Sequence, residues 1–331
     1  MKNRFTRGGA LLAVSSLALL SLAGTASANP ADDTVASHTA ATTTAEAQRV
    51  EKFWTRDRMR DAVPVEELID VDSKVTRPGT VSAGSPVTIP PTTAPTTKGD
   101  VGTQAFPHPG GEWTGGGAIT KTAGRVFFSY QGRTASCSGN AVNSQNKSTV
   151  ITAGHCVKLE GAWHTNWMFV PGYSNGSEPH GRWTAAKTMA TPQWGASEDI
   201  NYDVGAAVVN PLGGQSLTDV VGGQGIAFNQ ARGQDMYSFG WPAADPYDGT
   251  KMIYCSGTVI DDFLLTQGIG MNCDMTGGSS GGPWFLSFSE SSGTGIQNSV
   301  NSFKYNFLPN YMFGPYFGSD AQNLYNQAQA A

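Results

Sequence analysis

Thr149-Val150-Ile151-Thr152-Ala153-Gly154-His155-Cys156 reads as a short β-branched strand that ends at a glycine and leaves an imidazole at its tip. Two later segments give that histidine partners: Asn201-Tyr202-Asp203-Val204-Gly205-Ala206-Ala207-Val208-Val209, and Gly277-Gly278-Ser279-Ser280-Gly281-Gly282-Pro283. A serine hydroxyl is a poor nucleophile until an imidazole takes its proton, and the imidazole needs a carboxylate to fix its tautomer. Asp203 opens an apolar run, where a carboxylate needs a partner to offset its desolvation, and an imidazole Nδ1–H supplies one. Asp199 is the nearest competitor but belongs to the polar stretch Ala-Ser-Glu-Asp. The glycines around Ser280 permit a tight turn that presents the hydroxyl and backbone N–H groups. A flexible Gly/Ser loop is the simpler reading of that segment, and the apolar run Trp284-Phe285-Leu286 right after it argues against it.

Chain order separates three arrangements of such a triad. Gly-x-Ser-x-Gly around Ser280 also fits the nucleophile elbow of α/β-hydrolases, where acid and histidine follow the serine. The histidines are His38, His108, His155, His164 and His180, so none follows Ser280. A subtilisin-like order needs an acid before the histidine, and between the linker and His155 only Asp100 and Glu112 stand there, both in Gly-rich sequence. The His, Asp, Ser order and the three segments resemble the chymotrypsin/trypsin family of serine peptidases, nearer its secreted bacterial branch, which includes the glutamyl endopeptidases. The match runs from about Gly124 to the C-terminus.

That resemblance implies an all-β fold of two packed six-stranded antiparallel barrels, and an endopeptidase that works through an acyl-enzyme. Ser280 is then the nucleophile, His155 the base and later the acid, Asp203 the orienting carboxylate, and the N–H groups of Gly278 and Ser280 the oxyanion hole. Ser302-Phe303-Lys304 resembles the substrate-aligning strand, and Asp274 stands where trypsin-like members hold the carboxylate that receives Lys or Arg. Of the three pairings open to four cysteines, the family's common bridge beside the active site corresponds to Cys137 with Cys156, which leaves Cys255 with Cys273. Two departures matter. Ser279 replaces the aspartate that pairs with a new N-terminus in trypsin-like zymogens, and Gln297 follows Gly295-Ile296 where glutamyl endopeptidases have a histidine. A secreted esterase on this scaffold, or a catalytically silent binding or adhesion homologue, would share most of these residues.

The texture of the chain agrees with a β fold. Runs at 125–130, 149–153, 167–170, 204–209 and 236–241 are short, β-branched or aromatic, and separated by Gly, Asn or Pro. Charged residues make up 14% of the chain against a typical ~25%, and there are 41 glycines. Helix is expected at the C-terminus, capped by Ser319, with Ala321, Leu324, Tyr325 and Ala328 as its apolar stripe.

Lys2, Arg4 and Arg7 precede a 13-residue, mainly apolar stretch from Ala10 to Leu22 and a small-x-small signal at Ala26-Ser27-Ala28. The stretch is too short for a span of ~20 residues and reads as a secretory signal peptide over 1–28. Residues 29–100 are expected to form a pro-segment, with one helix from Ala45 to Ala62, and a Pro/Thr-rich linker from Arg77 to Asp100. Residues 101–331 form the peptidase domain. From Ala118 onward ten Lys/Arg face fourteen Asp/Glu, which leaves no basic surface for nucleic acid or anionic membrane. No cofactor or metal is implied. The expected partners are protein or peptide substrates and the chain's own pro-segment, for a secreted monomer.

Overall fold

The computed structural model describes residues 1–2, 34–68, 81–92 and 105–331. The signal peptide expected over 1–28 lies outside them except for its first two residues, as does half of the 77–100 linker. An N-terminal arm supplies β1 (Ala36–Thr39), α1 (Thr44–Phe53), α2 (Arg56–Arg60), β2 (Val63–Pro64) and a 3-10 turn over Val65–Leu68. Strands β3 (Val87–Ile89) and β4 (His108–Glu112) and the short α3 (Ile119–Thr122) follow.

Six strands then close on themselves. They are β5 (Ala123–Tyr130), β6 (Arg133–Ala141), β7 (Thr149–Thr152) and, after the small hairpin β8 (Lys158–Leu159) and β9 (Ala162–Trp163), β10 (Thr165–Pro171), β11 (Trp183–Ala190) and β12 (Gly205–Val209). Each pairs antiparallel with its neighbour in the order β5, β6, β7, β12, β11, β10 and back to β5. Closure gives every strand a neighbour on both sides over at least part of its length, and alternate residues such as Val126, Phe128, Val150 and Phe169 fill the interior. Helices α4 (Pro192–Ser197) and α5 (Leu217–Val221) flank β12.

The second half is built from β13 (Gly225–Phe228), β14 (Asp235–Gly240), β15 (Ile253–Thr258), β16 (Ile260–Asp261), β17 (Ile269–Asn272), β18 (Pro283–Ser289), β19 (Thr294–Val300) and β20 (Tyr311–Gly314). Its ladder is not one continuous ring. A seven-stranded sheet runs β3, β13, β19, β18, β14, β15, β4, with β13 and β19 parallel, and β16, β17 and β20 form a separate sheet. The Cys255–Cys273 bridge joins β15 of the first sheet to the residue just after β17 of the second, so a covalent link stands where hydrogen bonds are missing. On the chain-entropy model a loop of this length contributes ~3 kcal/mol. Cys137 and Cys156 are joined as well, and no cysteine is free. Helix α6 (Ser319–Gln329) buries Ala321, Leu324, Tyr325 and Ala328 as its periodicity predicts, but its cap is Gly318 with no side-chain bond, and Ser319 is its first residue.

The arm departs most from its sequence reading. In place of one helix over 45–62 there are two, because Thr43 and Glu46 form a reciprocal capping box that starts α1, and Thr55 accepts from Arg58 N–H to start α2. Between them Trp54 leaves helical geometry and turns its indole into the protein, fully buried, 5.5 Å from the ring of Phe127, with Nε1 donating to Asn166 O at 2.6 Å. Strand β1 adds to the half of β11 that β10 does not cover, from Ala36 opposite Ala190 to Thr39 opposite Lys187. Part of the expected linker is likewise a strand, since β3 pairs with β13. Trp54→Ala removes the largest anchor of the arm. It is expected to cost about 3–5 kcal/mol of precursor stability, read as a lowered midpoint in denaturant unfolding of the full chain, and an unchanged midpoint would show that the arm is not part of the cooperative unit.

Candidate active site

The turn Gly154–Cys156 after β7 carries His155, and the turn Ile200–Tyr202 delivers Asp203 to the start of β12, which pairs with β7. This pairing sets the two residues beside each other. Asp203 is fully buried; its Oδ1 accepts from the His155 backbone N–H at 2.8 Å, and Oδ2 lies 2.7 Å from His155 Nδ1 and accepts from Ser302 Oγ at 2.5 Å. Three donors on one carboxylate fix its orientation and, through it, the imidazole plane. Asp199, the competitor in sequence, instead accepts from the backbone and side-chain amides of Asn201.

Ser280 lies in the turn before β18, and two glycines are required there. Gly278 has φ +91, and a Cβ on it would come 3.0 Å from Trp241 O. Gly281 has φ +80, and a Cβ would sit 2.1 Å from Thr152 Oγ1 and 2.4 Å from Ser138 O. The turn is tied to the first barrel through Ser138 on β6. Its N–H donates to Ser280 O at 2.7 Å, its hydroxyl donates to Gly278 O at 3.0 Å and accepts from Trp241 N–H at 2.9 Å. Sequence reasoning did not single out Ser138. Ser279 buries its hydroxyl against Thr276 O at 2.8 Å, so the position that would hold an acid in trypsin-like zymogens is satisfied locally.

A carboxylate from the arm occupies the centre of this arrangement. Glu66 Oε1 accepts from the Ser280 hydroxyl and lies 3.6 Å from His155 Nε2, while Oε2 accepts from Gly278 N–H at 3.1 Å. His155 Nε2 itself has no hydrogen-bond partner among the described residues, because the serine hydroxyl is turned to Glu66. Burial alone disfavours the charged imidazole, but the charge and hydrogen bond of Asp203, and then the nearby Glu66 carboxylate, outweigh it and lift His155 to about 10. Burial alone would raise the Glu66 carboxyl, yet the neighbouring His155 and the Ser280 hydroxyl hold it below the usual carboxylate range. Glu66 carries no sequence signal of its role, since in the chain it follows Val63-Pro64-Val65 as one of two adjacent glutamates.

A cavity of about 260 Å³ opens beside Ser280, lined in part by Trp194, Thr276, Ser302, Phe303, Lys304 and Met312. Ser302 and Phe303, expected from the resemblance on the substrate-aligning strand, lie on this cavity wall. Asp274 is not among the lining residues. Its carboxylate accepts from Tyr247 at 2.7 Å and its backbone N–H donates to Pro109 O. The charge on that wall is instead Lys304, whose ammonium donates to Cys273 O at 2.9 Å and Pro309 O at 2.5 Å and is drawn down to about 8 by burial, against the charge of Asp274.

His164 lies in Trp/Gly/Asn-rich sequence that reads as a surface loop, yet it is buried. It stacks on Phe128 with ring centres 4.2 Å apart, and Nε2 meets His155 O at 2.8 Å. Burial pulls it down to about 3, so it is neutral at ordinary pH and donates from Nε2 to hold the backbone of the histidine turn. Among the described residues the one cluster with metal-ligand spacing is Cys137, His155 and Cys156, and the two sulfurs are bonded to each other. No helix among the described residues is long and apolar enough to cross a membrane.

No family model matches the sequence. The fold and the sequence do resemble solved proteases. The protease Anisep from Arthrobacter nicotinovorans is 49% identical, the match covering 64% of this chain and 96% of that one, with a TM-score of 0.61. A thermostable serine protease, AL20, from an extremophilic microorganism is 43% identical over 65% of this chain and 99% of its own, with a TM-score of 0.62. A Glu endopeptidase shares the fold at 15% identity and a TM-score of 0.53, over 67% of this chain and 97% of that one. Among curated proteins, an extracellular metalloprotease of Bacillus subtilis is 34% identical over 85 residues, which are 25% of this chain. The chain spans about a quarter, 26%, of that relative's length.

Proposed function

We propose that this chain, which belongs to the chymotrypsin-like serine peptidases and is related to the glutamyl endopeptidases, is made as a secreted precursor whose residues 101–331 cut peptide bonds with Ser280, His155 and Asp203. The observation that carries the reading is the convergence of the Ser280 hydroxyl, the Gly278 N–H and His155 Nε2 on one carboxylate, with Asp203 behind the imidazole. A peptide carbonyl in that position meets a nucleophile, a base and an oxyanion donor together.

In the reaction His155 Nε2 takes the proton of Ser280 as Oγ bonds to the carbonyl carbon. The resulting oxyanion is held by the N–H groups of Gly278 and Ser280, each such donor contributing ~3 kcal/mol in related chemistry. The C–N bond breaks as His155 passes the proton to the leaving amine, which leaves an acyl-enzyme. Water, deprotonated by His155, then releases the acid and restores Ser280. Asp203 stabilises the imidazolium in both halves.

With Lys304 on the cavity wall, Asp274 tied to Tyr247 and the lining carboxylate of Glu198 paired with Lys158, a substrate Lys or Arg finds a like charge and carboxylates already engaged. Profiling the arm-free enzyme on a peptide library is expected to show little cleavage after Lys or Arg, unchanged in Asp274→Ser. A strong basic preference lost in that variant would return Asp274 to the specificity site. Labelling with a fluorophosphonate, followed by mapping, tests the nucleophile: modification is expected at Ser280, and modification elsewhere or nowhere would overturn the assignment.

A further inference from the structure

From the contacts of Glu66 we infer that the catalytic centre doubles as a carboxylate site, filled in the precursor by Glu66 as a built-in, uncleavable inhibitor. The inference rests on the peptidase reading above. Three of the polar groups that would handle a substrate carbonyl face the Glu66 side chain: the Ser280 hydroxyl and the Gly278 N–H, which donate to it, and His155 Nε2 at 3.6 Å. Hydrogen bonds to an ionised acceptor are roughly twice as strong as neutral ones, and this half-buried acceptor faces two donors and a cation.

The arm brings a side chain to the nucleophile and not its backbone. A carboxylate is a poor electrophile, since its carbon already shares a negative charge over two oxygens and offers no amine to expel. The arm thus fills the site without offering a bond to cut there. Its position is over-determined on the amino side of Glu66. Val63 and Pro64 pair parallel with Ala135 and Ser136 of β6, Val65 is fully buried, and Arg182 donates to the carbonyls of Glu51 and Trp54. Glu67, next in the chain, is exposed and serves as a control.

The groups facing Glu66 set the pH range of the latch. They are His155, backed by Asp203, with Glu198 (paired with Lys158) and Lys304 farther along the same cavity. Glu66 is held below the ordinary carboxylate value and His155 is raised to about 10, so the ion pair is complete between those limits. Acid protonates Glu66 and alkali above about 10 discharges His155, and either weakens the contact.

The test uses the full-length chain. Ser280 labelling by a fluorophosphonate is timed on the intact-length band for the parent, Glu66→Ala, Glu66→Gln and Glu67→Ala. The parent and Glu67→Ala are expected to label slowly, and both Glu66 variants about tenfold faster or more. Equal rates in all four forms, slow or fast, would overturn the latch and leave the peptidase reading intact. If Glu66→Ala alone is faster, bulk and not charge blocks the site, and the carboxylate claim fails. No labelling in any form, before or after the arm is removed by limited proteolysis, would overturn the nucleophile assignment and the latch with it.

Discussion

Ser280→Ala is expected to lower peptide hydrolysis by the arm-free enzyme about 10⁵-fold or more while leaving the protein folded. The size follows from the geometry. In the proposed mechanism His155, held by Asp203, takes the proton of the Ser280 hydroxyl, so removing the hydroxyl would idle the base and the orienting acid together. At 1.36 kcal/mol per factor of ten, the loss corresponds to about 7 kcal/mol of transition-state stabilisation. Residual turnover comes from the Gly278 and Ser280 N–H groups and from binding alone. Folding is expected to be kept because the turn is held by its backbone: Ser138 N–H donates to Ser280 O, and Asn301 Nδ2 donates to Ser279 O at 3.0 Å. A kcat/KM within tenfold of the parent, with unchanged thermal unfolding, would remove Ser280 from the mechanism.

Asp203→Asn is expected to cost about 10⁴-fold in kcat/KM near neutral pH. The carboxylate receives three donors, from His155 N–H, His155 Nδ1 and Ser302 Oγ. An asparagine has a single acceptor oxygen. With that oxygen kept by the His155 backbone, the amide NH₂ faces the ring and Nδ1 must accept, which moves the imidazole proton to Nε2. In that tautomer the base toward Ser280 is already protonated. Side-chain volume barely changes, so unfolding should be little affected, and an activity loss matched by a collapse in stability would point to packing in place of tautomer control.

The contrast between these two residues and Glu66 shows what kind of information a sequence carries. Asp203 announces itself by chemistry, as a charged group opening an apolar run, and Ser280 by the glycines a tight turn needs. Glu66 has the composition of any exposed acidic pair, and its role depends on where β2 happens to pair. His164 misleads in the same way, because its Trp, Gly and Asn neighbours look like a surface loop while the hairpin folds it under Phe128.

Sequence by itself determined the β texture, the chain order of His155, Asp203 and Ser280 and the apolar stripe of the last helix, since each rests on local periodicity or on the order of residues in the chain. Only the tertiary structure decided that Trp54 splits the arm into two helices, that the second half is two sheets joined by Cys255 and Cys273, that Lys304 and not Asp274 faces the cavity, and that a glutamate 214 residues before Ser280 reaches it. Those facts depend on contacts between segments far apart in the chain. Burial and pairing at such distances are set by the packed whole, and no window of sequence records them.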